Sequence, residues 1–173
     1  MNASSSHFAL FGLPVAFSID LAALDQLYRR LQAEVHPDRF ASATDAERLL
    51  SLQKATQVNE AYQTLKNPLS RGRYLLQLRG VDTQEESNTA MPVDFLMQQM
   101  EWREALEDAQ GSITALESLD RELRAAAKSL LATLETALDG QPNDMLATET
   151  VRKLRFIDKV QSEIDKAMEA LEV

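Results

Sequence analysis

His36-Pro37-Asp38-Arg39-Phe40-Ala41-Ser42-Ala43 interrupts a helical pattern that stands on both sides of it. Before it, Leu21, Leu24, Leu27, Tyr28, Leu31 and Val35 recur at the spacing of one helix face, with Ser18 or Asp20 as the N-cap. After it, Thr44-Asp45-Ala46-Glu47 sets Thr and Glu three apart, the spacing of a capping box, and Leu49, Leu52, Val58, Ala61, Tyr62 and Leu65 carry a second helix. Pro37 has no N–H and costs ~3 kcal/mol in a helix interior, so the first helix must stop before it. The stretch is therefore the polar corner of a helical hairpin. Further out, Phe8 to Phe11 forms a short helix closed by Gly12-Leu13-Pro14. Asn67-Pro68 supplies a cap and an N1 proline for a helix through Tyr74, Leu75 and Leu78 that Gly80 ends.

Residues 1–80 thus read as one domain. Residues 81–91 are polar with no hydrophobic period and read as a linker. Pro92 fits N1 of a helix over 92–109, and two longer helices follow over 113–138 and 144–171, separated by Gly111 and by Asp139-Gly140-Gln141-Pro142-Asn143. Such short connections imply antiparallel neighbours, so 92–173 reads as a three-helix bundle. No alternating β-branched run and no Asn-Gly or Asp-Gly turn occurs, and the fold class is all-α.

The 173 residues include 45% apolar and 26% charged side chains, enough to form a core. Without cysteine, and with His7 and His36 as the only histidines, the chain has no disulfide, thiolate or three-ligand histidine chemistry; no cofactor or metal is expected. The net charge of −9 divides into +2 over residues 1–80 and −11 over 81–173. That balance argues against binding to a nucleic-acid backbone, which relies on Lys and Arg. No apolar run is long enough to span a membrane, and the first residues have no basic signal region, so the expected setting is the cytoplasm. The charge also weakly opposes self-association, and a monomer is expected.

At the corner, an imidazole and a carboxylate held beside a helix end suit recognition of an Arg or backbone group of a partner. A turn in which Asp38 only caps the loop fits the same spacing. A His with an Asp two residues later also admits acid–base catalysis, yet no oxyanion loop, nucleophile elbow or phosphate-binding loop accompanies it, and the chain does not read as an enzyme.

The helix over 92–109 offers a second surface. At 100° per residue Phe95, Gln99, Trp102, Leu106 and Ala109 share one stripe, the natural core face. Leu96, Met97 and Met100 lie toward the other side with Glu101, Glu104 and Asp108, giving a face apolar at its start and acidic further on. Either a partner covers that face or another part of the chain does. On the last helix Leu154, Ile157, Ile164 and Met168 form the apolar stripe, and Phe156 falls about 100° from its centre, as a core rim or a partner's anchor. The middle helix, with Ile113, Leu116, Leu119, Leu123, Leu130, Leu134 and Leu138 inward, reads as structural.

A helix ending in His36-Pro37-Asp38-Arg39-Phe40, a helix with Val58-Asn59-Glu60-Ala61-Tyr62-Gln63-Thr64-Leu65, then Asn67-Pro68 and Arg71-Gly72-Arg73-Tyr74, resembles a J-domain. Phe8-Ala9-Leu10-Phe11-Gly12-Leu13-Pro14, Phe95-Leu96-Met97 and Arg152-Lys153-Leu154-Arg155-Phe156-Ile157-Asp158-Lys159 extend the likeness to the HscB family of co-chaperones of iron–sulfur cluster assembly. The resemblance runs from about Phe8 to the end. It implies that His36, Pro37 and Asp38, helped by Arg29, Arg30 and Arg39, act on an HscA-type ATPase chaperone. It further implies that Leu96, Met97, Met100, Glu101, Glu104, Asp108 and Phe156 hold an IscU-type scaffold protein. Each arginine also fits a plain solvated helix face. Val35 and Arg39 stand where the common J-domain pattern often has Tyr and Lys, and Asp108 stands where a longer Glu is familiar. The glycine/phenylalanine-rich and cysteine-rich segments of general J-proteins are absent, which favours a dedicated adaptor over a co-chaperone for unfolded clients.

Overall fold

The structure is a computed structural model describing residues 5–85 and 90–172, and residues 86–89 of the segment read as a linker lie outside it. Among the described residues every regular element is helical, so the chain is all-α. The contacts divide it into two compact units, Met1–Val81 and Asp82–Val173.

In the first unit α1 (His7–Leu10), α2 (Leu21–Glu34), α3 (Asp45–Lys66) and α4 (Pro68–Leu78) pack around α3. Their ends follow the sequence signals. Asp20 caps α2 by accepting from Ala23 N–H at 3.1 Å, and Thr44 and Glu47 form both halves of the capping box. Asn67 caps α4 with Pro68 at N1. Gly80 closes α4 at φ +79°, a left-handed conformation that a Cβ would strain. Phe8, Leu24, Val58, Leu65, Leu75 and Leu76 are buried in this core.

The apolar face of α3 holds as expected at Val58, Ala61, Tyr62 and Leu65, which are buried, but not at Leu49 and Leu52 in its first two turns. Its inward side runs through Ser51, Ala55, Val58, Tyr62 and Leu65. Leu49, Leu50 and Leu52 are exposed by 55, 64 and 60%. Ser51 Oγ donates to the Val35 carbonyl at 2.9 Å, which sets residue 51 level with the end of α2, so Leu49 and Leu50 lie past that end. Leu52 shares an outward stripe with the exposed Thr56, Asn59 and Gln63.

The second unit contains α5 (Val93–Asp108), α6 (Ile113–Glu135) and α7 (Asp144–Leu171), with α6 packed along α7 and α5 against both. Phe95, Trp102, Leu106, Leu116, Leu119, Leu123, Ile157, Val160 and Ile164 make one buried cluster. Three details differ from expectation. Pro92 is the N-cap of α5 and not N1: its ψ of 144° is extended while its carbonyl already accepts from Leu96 N–H. After Glu135 the middle helix widens into a π-type turn, Thr136–Gly140, that buries Ala137 and Leu138. Leu21 and Ile113, expected on inward faces, are 45 and 43% exposed because each opens its helix, where side chains tilt back past the helix end.

Candidate interaction surfaces

The corner between α2 and α3 is held from both sides. Tyr28 of α2 stacks on Tyr62 of α3 with ring centroids 3.9 Å apart, and its hydroxyl donates to Asn59 Oδ1 at 2.6 Å. The Tyr62 hydroxyl donates to Asp25 Oδ1 at 2.7 Å. With the bond from Ser51 to Val35, these contacts fix the direction in which the chain leaves α2.

Residues Pro37–Phe40 form a single 3-10 turn with His36 as its N-cap. His36 Nδ1 accepts from the Asp38 backbone N–H at 3.2 Å. In accepting, Nδ1 uses its lone pair, so the ring hydrogen of the neutral imidazole sits on Nε2, the donor left for a partner. The same Nδ1 lies 3.5 Å from Asp38 Oδ2, which is an ion pair only for a protonated ring. The backbone bond and the ion pair call for opposite states of Nδ1. The side chains of His36 and Asp38 are 58 and 92% exposed, so Asp38 caps nothing with its carboxylate inward and displays it to solvent. The side chain of Pro37 lies outside the described residues. Arg29 and Arg30 are exposed on α2 about two turns before His36, and Arg39 is exposed in the turn itself.

In the second unit the two faces of α5 separate as their spacing requires. Phe95, Trp102, Leu106 and Ala109 are buried, while Gln99, expected among them, is half-buried. Leu96, Met97 and Met100 are 39, 60 and 71% exposed, and Glu101, Glu104 and Asp108 are exposed with them. Large apolar side chains left in water beside carboxylates are the form of a protein interface, with methionine adaptable in shape.

Phe156 of α7 joins the α5 aromatics. It stacks on Trp102 at 6.2 Å and meets Phe95 edge-on at 6.1 Å. The Arg103 guanidinium lies 5.3 Å above its ring and is ion-paired with Glu163. Half-buried, Phe156 is a core rim and also a wall of two grooves, one with Met100 and Glu104, the other with Leu96 and Lys159. Arg103 was not singled out in the sequence, and Arg152, Lys153, Arg155 and Lys159 entered only as part of a resemblance.

Two other features went unread. Arg71, quoted above only as part of a resemblance, is 6% exposed; its Nε and Nη1 donate to the Phe17 and Leu65 carbonyls at 2.6 and 2.7 Å. Thr83, within the segment read as a linker, is 4% exposed, and its carbonyl accepts from Arg152 Nε at 2.8 Å. No group of three or more His, Asp or Glu among the described residues is placed to hold a metal ion, and no helix is long and apolar enough to cross a membrane.

Comparison with known proteins gives a consistent result. Residues 91–165 match the family model described as the HSCB C-terminal oligomerisation domain. A co-chaperone protein HscB homolog of Chromobacterium violaceum is 56% identical over 164 residues, spanning 95% of this chain and 94% of that protein. Among solved structures, chaperone HscB from Vibrio cholerae superposes with a TM-score of 0.84 at 39% identity, covering 96% of this chain and 99% of that one. Human co-chaperone protein HscB gives 0.90 at 30% identity, covering 100 and 86%. With an exposed His-Pro-Asp corner on a helical hairpin, a second helical unit, and identity of this level over nearly its whole length, the chain belongs to the HscB family of co-chaperones.

Proposed function

We propose that the chain is an adaptor with two working surfaces. Residues 1–80 act as the J-domain, in which His36, Pro37 and Asp38, assisted by Arg29, Arg30 and Arg39, stimulate the ATPase of an HscA-type chaperone. Residues 92–173, joined through 81–91, receive an IscU-type scaffold on Leu96, Met97, Met100, Glu101, Glu104, Asp108 and Phe156, so that both partners meet on one molecule during iron–sulfur protein maturation.

The observation that carries the reading is the corner itself: a carboxylate 92% exposed, beside an imidazole with a donor left over, on a turn braced by two helices. Such a group is preorganised to pair with an arginine or a backbone amide of a partner at little ordering cost. The adaptor has no catalytic residue and no cofactor of its own, and it works in the cytoplasm without membrane or nucleic acid. We propose a monomer; because the matched family model is described as an oligomerisation domain, light scattering is the direct check, with 19.4 kDa expected.

The test is steady-state ATP hydrolysis by a purified HscA-type chaperone with the full-length chain, with and without scaffold. Wild type raises the rate and does so further with scaffold. Asp38→Asn removes the stimulation while leaving scaffold binding intact, and Met100→Ala removes the extra effect of scaffold. A wild-type chain that leaves the rate unchanged defeats the proposal. Equal stimulation by denatured peptides and scaffold would make it a general co-chaperone for unfolded clients.

A further inference from the structure

Five of the nine cations in residues 81–173 are on α7: Arg152, Lys153, Arg155, Lys159 and Lys166. Four of them, Arg152, Arg155, Lys159 and Lys166, fall within a sector of about 60° at 100° per residue, a stripe some ~21 Å long. They line one groove together with Leu96 and Phe156. The chain carries −11 over this half, so a continuous basic stripe here is not a consequence of composition.

The charges around Phe156 sort by side. The neighbouring groove, which also has Phe156 in its wall, holds Met100, Glu104 and Glu107 with a single cation, Arg103. The basic groove holds Glu163, and Arg103 and Glu163 are paired with each other. That pair joins the one cation of the acidic groove to one of the three acids of the basic groove. Of the other two acids, Glu85 accepts from the Thr83 hydroxyl at 2.5 Å, and Asp158 lines both this groove and the one between α6 and α7, so the four cations keep a net excess of one here. Arg152 holds the Thr83 carbonyl, whereas among the described residues neither Lys159 nor Lys166 has an ion-pair partner.

We propose that this stripe extends the scaffold-binding surface and takes an acidic segment of the scaffold, with carboxylates about 10 Å apart to match Lys159 and Lys166. The inference rests on the scaffold-binding reading of α5. It makes the surface bipolar, with an apolar centre at Leu96, Met100 and Phe156, carboxylates on one side and cations on the other. Such a surface accepts a partner in one orientation, because the reversed pose sets like charges together.

Calorimetric titration of the full-length chain with a purified IscU-type scaffold tests it. The variants are Lys159→Glu/Lys166→Glu, Met100→Ala, and Lys128→Glu as an exposed charge reversal on α6 outside the groove. The double reversal is expected to weaken binding about tenfold and to flatten its dependence on salt, with Lys128→Glu near wild type. Should the double reversal behave like Lys128→Glu while Met100→Ala weakens binding, the basic stripe is no part of the interface and the α5 reading stands. Wild type failing to bind, or Met100→Ala and the double reversal both binding as wild type, removes the two together. Loss of binding to anionic phosphatidylglycerol vesicles in the double reversal, with scaffold affinity unchanged, would assign the stripe to a lipid surface and overturn the protein partner.

Discussion

His7 and Arg71 show how single residues acquire properties from where the fold sets them. The His7 ring stacks on Tyr74 at 4.4 Å, and burial holds its pKa below the ordinary 6.5 despite the nearby Glu60 carboxylate, which acts the other way. A folded pKa below the unfolded one means the unfolded chain binds the proton more readily. Stability is therefore full above about 6.5 and is lost as pH falls through that value toward the folded pKa. His7→Phe keeps the ring stack and the backbone N–H bond to the Tyr74 hydroxyl. Its melting temperature should drop less than that of wild type between about pH 8 and about pH 5. Arg71, 6% exposed, ties two carbonyls from different segments and lies 4.8 Å from the Phe17 ring. Arg71→Ala leaves those carbonyls buried without their donor, a loss of about 2–4 kcal/mol in urea unfolding. Nothing in the local sequence marks either residue, because groups that shift or hold them lie more than 50 residues away: Tyr74 and Glu60 for His7 and, besides the nearby Leu65 carbonyl, Phe17 for Arg71.

Elements were legible wherever their signals are local. Caps at Asp20, Thr44 and Asn67 stand at the helix starts, because a side chain that satisfies a free N–H acts within three residues. Thr44→Ala removes one half of the box beside the His-Pro-Asp corner and should cost about 1 kcal/mol, read as a shift in the urea midpoint. On α3 the stripe of Val58, Ala61, Tyr62 and Leu65 was legible from its spacing, but the first two turns were not, since what covers them depends on where α2 ends. Leu52→Ser, on the outward side, should change stability by under about 0.5 kcal/mol, whereas Leu65→Ala in the buried stripe should cost about 2–5 kcal/mol. On α5 the two-faced pattern was readable from spacing alone, and the structure adds the aromatic group of Phe95, Trp102 and Phe156 that stiffens it.

At the scale of the whole molecule, the chain keeps two cores. Trp102 is the only tryptophan and lies in the cluster of the second unit, so its fluorescence reports that core. Leu123→Ala, at a fully buried position there, should shift the tryptophan-detected unfolding by about 2–5 kcal/mol; an unchanged transition would mean the cluster does not act as a unit. By itself the sequence determined the helical class, the places where helices begin and end, the proline corner that displays His36 and Asp38, and the split between a mildly basic first half and an acidic second. These depend on neighbours within a few residues, or on composition. Only the tertiary structure decided that Leu49 and Leu52 of α3 are outside, that Arg71 is a buried clamp, that Phe156 lines two grooves of different charge, and that four cations of α7 share one of them. Burial and pairing are properties of surfaces brought together across the chain, and no window of adjacent residues contains them.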